Sequence, residues 1–164
     1  MIMALLFGLG MASYRSFSQR KAVEQVSVQI RNDLLLIQQY ALSGKKPSPP
    51  NANCESPNFL EGYIFRSGGA GYRTYADCSA GSNIPIKTVN LDSGGPGIES
   101  VQRLQNCSTS TPGINLPGSW FEFQTVAKGI NISGGMPASD WIRVRASQGT
   151  TVYDILVDST GAIR

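Results

Sequence analysis

An unbroken apolar stripe at helical spacing constrains this chain more than any other feature. Val23, Val26, Ile30, Leu34, Ile37 and Ala41 recur at intervals of 3, 4, 4, 3 and 4 residues, which places them on one side of an α-helix. Glu24, Gln25, Gln29, Arg31, Asn32, Gln38 and Gln39 fill the positions between them, and no proline occurs before Pro47. Gly44 follows Leu42 and Ser43 as a stop, Lys45 and Lys46 suit the negative end of a helix, and Pro47, Pro49 and Pro50 prevent continuation. The pattern predicts one helix from about Met1 to Ser43, about 65 Å long at 1.5 Å per residue.

The start of that helix has a different character. Met1 to Ala12 carry no charge and are nearly all apolar, and Tyr14, Arg15, Phe17, Arg20 and Lys21 follow. Aromatics and cations in that order mark a lipid–water boundary. The apolar run is shorter than the roughly 20 residues of a membrane span. A secretory signal peptide is one reading, with Ile2 to Leu9 as its apolar region and Gly10-Met11-Ala12 as a small-x-small cleavage site. No Lys or Arg precedes the run, however, and the amphipathic stripe continues beyond it. We therefore divide residues 1–46 into an apolar half, 1–17, and an amphipathic half, 18–44. Ile2, Leu5, Leu6, Phe7, Gly8, Leu9, Gly10, Met11, Tyr14 and Phe17 are the candidate membrane and assembly residues. Gly8, Gly10, Ala12 and Ser13 are small enough to let another helix approach closely.

From Pro47 the texture changes. The segment Lys45–Pro57 is rich in Pro, Ser and Asn and reads as a loop. Of the 164 residues only 15% are charged, while 18 are Gly and 9 Pro, a composition that suits a turn-rich β protein. Short β-type runs are expected at Gly62–Arg66, Tyr72–Asp77, Ile86–Leu91, Glu99–Gln105, Trp120–Val126, Trp141–Ala146 and Thr151–Asp158. Phe121, Phe123 and Thr125 alternate with Trp120, Glu122 and Gln124, and Ile142 and Val144 with Trp141, Arg143 and Arg145. Period-two alternation belongs to antiparallel sheets with one buried face. The expected architecture is α+β, a long N-terminal helix packed on an antiparallel sheet domain over 47–164. Ser-Gly-Gly at 67–69, 93–95 and 133–135 reads as turns, since no Gly-Lys-Ser/Thr follows to make a phosphate loop.

The chain contains no His, which removes His-based acid–base catalysis and most zinc sites. No paired acids or nucleophile–base constellation stands out. The expectation is a non-enzyme without cofactor or metal. A net charge of +3 is too small to imply nucleic-acid binding by itself.

The helix-plus-sheet layout resembles the type IV pilins and the pseudopilins of type II secretion, especially the minor class related to pseudopilin H. VQIRNDLLLIQQYALSGKKP is similar to the end of the helix in that family. GYRTYADC resembles its early strand, and TTVYDILVDSTGAIR resembles its closing strand with a terminal Gly-x-Ile. The family's most diagnostic motif, Gly followed by Phe-Thr-Leu-Ile-Glu at the prepilin peptidase cut, does not occur here. MIMALLFGLGMASYRSF looks like the second half of the family's membrane segment, which leads to the expectation that about ten upstream residues are missing. The resemblance implies a structural subunit of a pilus or secretion pseudopilus. It implies an inner-membrane helix before assembly and a periplasmic or cell-surface filament afterwards. Other pilin or pseudopilin subunits are the implied partners, with the prepilin peptidase if the missing N-terminus exists.

An exported domain favours disulfides. Cys54 follows the helix-to-sheet loop and Cys78 ends the second expected strand, which favours that pair. Cys54–Cys107 and Cys78–Cys107 remain open. Asn106-Cys107-Ser108 and Asn131-Ile132-Ser133 match the glycosylation sequon, which in a bacterial protein is a chance match. The alternative function is a ligand-capturing minor pilin that binds DNA. For it, Trp141, Arg143 and Arg145 share one strand face and Arg164 ends the chain, offering cations for phosphates and a ring for a base.

Overall fold

The computed structural model describes the chain apart from residues 1, 49, 69–70, 93, 106–112, 126–128 and 133–134; side chains are described except at 2–12, 82 and 117. Helix α1 runs over Ile2–Ser43. Its end is set by Gly44, which adopts φ 61°. The Lys45 N–H then donates to the Tyr40 carbonyl at 3.0 Å and the Gly44 N–H to the Ala41 carbonyl at 3.2 Å. This crossed pair satisfies two carbonyls that the last turn leaves open, and glycine reaches the left-handed region without a Cβ penalty.

Among the described residues nine strands follow: β1 Leu60–Gly68, β2 Gly71–Cys78, β3 Ser82–Asn90, β4 Gly97–Leu104, β5 Ile114–Asn115, β6 Trp120–Gln124, β7 Ile130–Asn131, β8 Trp141–Gln148 and β9 Thr151–Asp158. They form a five-stranded sheet, β3-β2-β1-β6-β7, and a four-stranded sheet, β5-β4-β8-β9. Every pairing is antiparallel. The chain is α+β, one N-terminal helix packed on antiparallel sheets.

One core joins the three layers. From α1 it takes Val23, Ile30, Leu34, Ile37 and Ala41, all at most 1% exposed, with Val26 packed at the margin. The larger sheet contributes Tyr63, Phe65, Tyr72, Phe121 and Phe123, and the smaller one Val101, Ile142, Val144, Ile155 and Val157. Phe65 lies 5.3 Å from Tyr72 and 5.4 Å from Phe121, ring centre to ring centre. Each such side chain contributes about 1.5–3 kcal/mol by leaving water.

Three details differ from the sequence pattern. β3 starts at Ser82 rather than Ile86, because Pro85 is tolerated on the edge of a sheet, where one side of the strand has no ladder to complete. β5 and β7 are two residues long and leave no periodic trace. Glu122 falls on the polar side of β6 but is only 4% exposed, because β6 lies between β1 and β7 and its neighbours close over it. Val126, at the expected end of that strand, lies outside the described residues.

Candidate functional site

The helix presents two surfaces. From Ser13 to Lys21 every side chain is exposed, Tyr14 at 72% and Phe17 at 60%. Farther along, Val28, Leu35 and Leu42 are also exposed. These three recur every seven residues, two helical turns, on the side turned away from the sheet-facing stripe. The helix thus carries a second apolar line that no element among the described residues covers. The backbone of α1 includes Ile2, Leu5, Leu6, Phe7, Gly8, Leu9, Gly10 and Met11, whose side chains lie outside the described set. Among the described residues, no helix is long and apolar enough to cross a membrane.

A polar latch fixes the amphipathic half to the larger sheet. Asp33, 7% exposed, faces inward from α1. It accepts a hydrogen bond from the Tyr72 hydroxyl at 2.6 Å and two from Lys87 Nζ, both at 2.8 Å. Burial, reinforced by the Asp33 carboxylate, pushes the Tyr72 hydroxyl well above the usual phenol range, so it stays a donor. Near the helix exit the Tyr63 hydroxyl donates to the Lys45 carbonyl, and Lys45 Nζ stands 4.2 Å from the centre of the Tyr40 ring. Burial raises the Tyr63 hydroxyl to about 12.

The β8 face brings all four DNA-contact candidates into one neighbourhood. Arg164 sits over the Trp141 ring, 5.0 Å from its centre. The Arg164 backbone exchanges hydrogen bonds with Leu156 on β9 at 2.8 and 3.0 Å, which holds it there. Arg145 makes a two-point contact with Asp154 at 2.8 and 2.9 Å. Arg143 departs from the outward, solvated position that alternation suggests. It is 6% exposed, donates to the Gln102 side chain, and stands 3.9 Å from Asp154. Alternation correctly separates it from Ile142 and Val144, but β8 is flanked by β4 and β9, and their side chains close over a long residue in the middle. Both arginines therefore already share an internal carboxylate.

Cys54 and Cys78 are joined in a disulfide, their Cα atoms 5.2 Å apart. Cys107 lies outside the described residues. Among the described residues, no three His, Cys, Asp or Glu side chains gather to hold a metal.

A second polar arrangement, unmarked in the sequence, lies on the outer face of the larger sheet. Arg66 of β1 stands directly opposite Arg73 of β2 and, on its other side, opposite Trp120 of β6. One row along, Ile64 is flanked by Tyr75 and Glu122, and Asp77 follows beyond. Arg66 and Arg73 lie on the two arms of one hairpin, Trp120 is far from both in the chain, and pairing register brings the three together. The available signal was period two in each strand, which assigns a face but not a neighbour. No family model, curated protein or solved structure matches the chain.

Proposed function

We propose that this chain is a structural subunit of a helical filament of the type IV pilus or type II secretion pseudopilus class. The single supporting observation is the uncovered apolar line on α1: Tyr14, Phe17, Val28, Leu35 and Leu42 are exposed, while from Val23 onward the opposite side is sealed by the sheets. Exposed residues at two-turn spacing on a long helix suit side-by-side packing with other helices. Before assembly, the apolar segment 1–17 sits in the inner membrane. On polymerisation it exchanges lipid for neighbouring helices, and both surroundings accept an apolar surface.

Site-specific photo-crosslinking tests this reading. A photoreactive residue replacing Val28 or Phe17, in cells producing the chain with its natural neighbours, is expected to yield a ladder of crosslinked subunits. Label confined to the monomer at both positions would reject the filament assignment.

A further inference from the structure

The outer face of the five-stranded sheet carries charge that the fold itself does not use. Arg66 and Arg73 are both exposed and directly opposite each other across β1 and β2. Neither has a hydrogen bond or ion pair with a described residue, unlike Arg103, Arg143 and Arg145 in the smaller sheet. Like charges opposed across a ladder are destabilising, so nothing in the fold's own energetics explains the pair. Two guanidinium groups at adjacent ladder positions do match one carboxylate, which accepts charge-assisted bonds from planar donors on two sides.

The surroundings narrow the ligand further. A cavity of about 300 Å³ opens beside Arg66, lined by Ile64, Tyr75, Asp77, Asn83 and Trp120 as well. Ile64, 8% exposed, is an apolar floor on what is otherwise a polar face. Arg66 and Tyr75 also line a neighbouring depression of about 400 Å³ with Arg73 and Thr88, so the two hollows meet at Arg66 and Tyr75, with Arg73 on the far side. The volumes lie at the lower end of small-ligand sites, about 300–1,000 Å³. Aromatic rings present a negative face to polarised C–H groups. Asp77 and Asn83 supply an acceptor and a donor–acceptor pair suited to hydroxyls.

A cation pair, aromatic walls and hydroxyl-binding side chains across two adjoining hollows are the complement of a sugar that carries a carboxylate. A nucleic-acid strand fits less well. It would set a continuous line of phosphates along a face where Asp77 stands close to Glu61 and Glu122. We propose that this face binds an acidic sugar of the uronate class, its carboxylate held by Arg66 and Arg73 and its ring against Trp120 and Tyr75. The face lies across the sheet from α1, so occupation of the helix surface leaves it open, and the site does not depend on filament assembly.

Titration of the full chain in mild detergent micelles with trigalacturonate, followed by tryptophan fluorescence, tests the assignment. Saturable quenching is expected, retained in Trp141→Phe and lost in Trp120→Phe. The double variant Arg66→Gln, Arg73→Gln should weaken binding by about tenfold or more, the order of one lost charge-assisted contact. Methyl-esterified trigalacturonate, which has the rings without the charge, should suffer a similar loss. Because the arginines are exposed and repel each other, the double variant should melt no lower than the parent; if it melts lower, Arg73→Gln alone takes its place with the same expected direction. Absence of saturation, equal binding of the ester, or unchanged affinity in the arginine variant would each overturn the proposal. Tighter binding of oligothymidylate than of trigalacturonate would overturn it in favour of nucleic acid.

Discussion

Glu122 is a carboxyl that the fold buries without fully bonding. Oε2 accepts from Asn131 Nδ2 at 3.0 Å, while Oε1 has no partner among the described residues. Gly62 makes the room, since a Cβ there would collide with the Glu122 side chain. Burial raises the Glu122 carboxyl above its ordinary range, the Asn131 bond opposes this, and Asp77 and Glu61 push it further up. Burial and then Glu61 raise Asp77 in the same way. For such groups the folded state holds protons that the unfolded state has released, so stability falls as pH rises from the ordinary carboxylate value through the raised one. Asp158 runs the other way. Burial alone would raise it, but the Thr160 hydroxyl and the N–H groups of Ala162, Thr160 and Gly161 outweigh that, so its contribution is lost as pH falls. Replacing Glu122 with Gln is expected to raise the melting temperature at neutral pH and to flatten the decline between mild acid and neutrality. Thermal melts from roughly pH 4 to 7 check this; an unchanged slope would place the titrating burden elsewhere.

At the scale of elements, the helix shows how much of a fold a sequence carries and where that stops. The stripe Val23, Ile30, Leu34, Ile37 and Ala41 could be read directly because a helix fixes its own geometry, and all five are buried in the core. The inward Asp33 could not, because its partners Tyr72 and Lys87 come from β2 and β3. Strand alternation likewise separated Ile142 and Val144 from Arg143, but only sheet order decides that a central strand covers its polar side too. The same gap hid the Arg66–Arg73–Trp120 row. The two sides of α1 therefore predict opposite outcomes for one chemical change. Leu34→Asp, at a position 0% exposed, should cost about 4 kcal/mol or more and unfold the β region, since an unpaired carboxylate is left in the core. Val28→Asp, at a position 52% exposed, should cost within about 0.5 kcal/mol. It should nevertheless interrupt the apolar line and, on the proposed filament function, prevent assembly. Chemical denaturation separates the two; equal destabilisation would contradict the division of the helix into a sealed and an open side.

Over the whole molecule, three layers are tied at points remote from one another. The Gln38 side chain donates to the Gly161 carbonyl at 2.8 Å, linking α1 to the segment after β9. Gly161 has φ 95°, and a Cβ there would meet both Gln38 and the Phe123 ring at 3.4–3.5 Å, so helix, larger sheet and C-terminal segment converge on one glycine. At the other end the Cys54–Cys78 disulfide closes a separation of 24 residues, from the loop after α1 to the last residue of β2. Both sulfur-bearing residues are at most 1% exposed, so the bridge is part of the core as well as a crosslink. A loop of that length is stabilised by about 3 kcal/mol when crosslinked, chiefly because the unfolded chain loses freedom. Replacing Cys54 and Cys78 together by Ser should therefore lower the melting temperature by on the order of 10 °C for a chain of this size. Reductant should bring the parent protein down to a similar value and leave the double variant unmoved. If the variant melts with the parent, the Asp33 latch and the Gln38–Gly161 contact already hold the layers together, and the disulfide adds nothing to that closure.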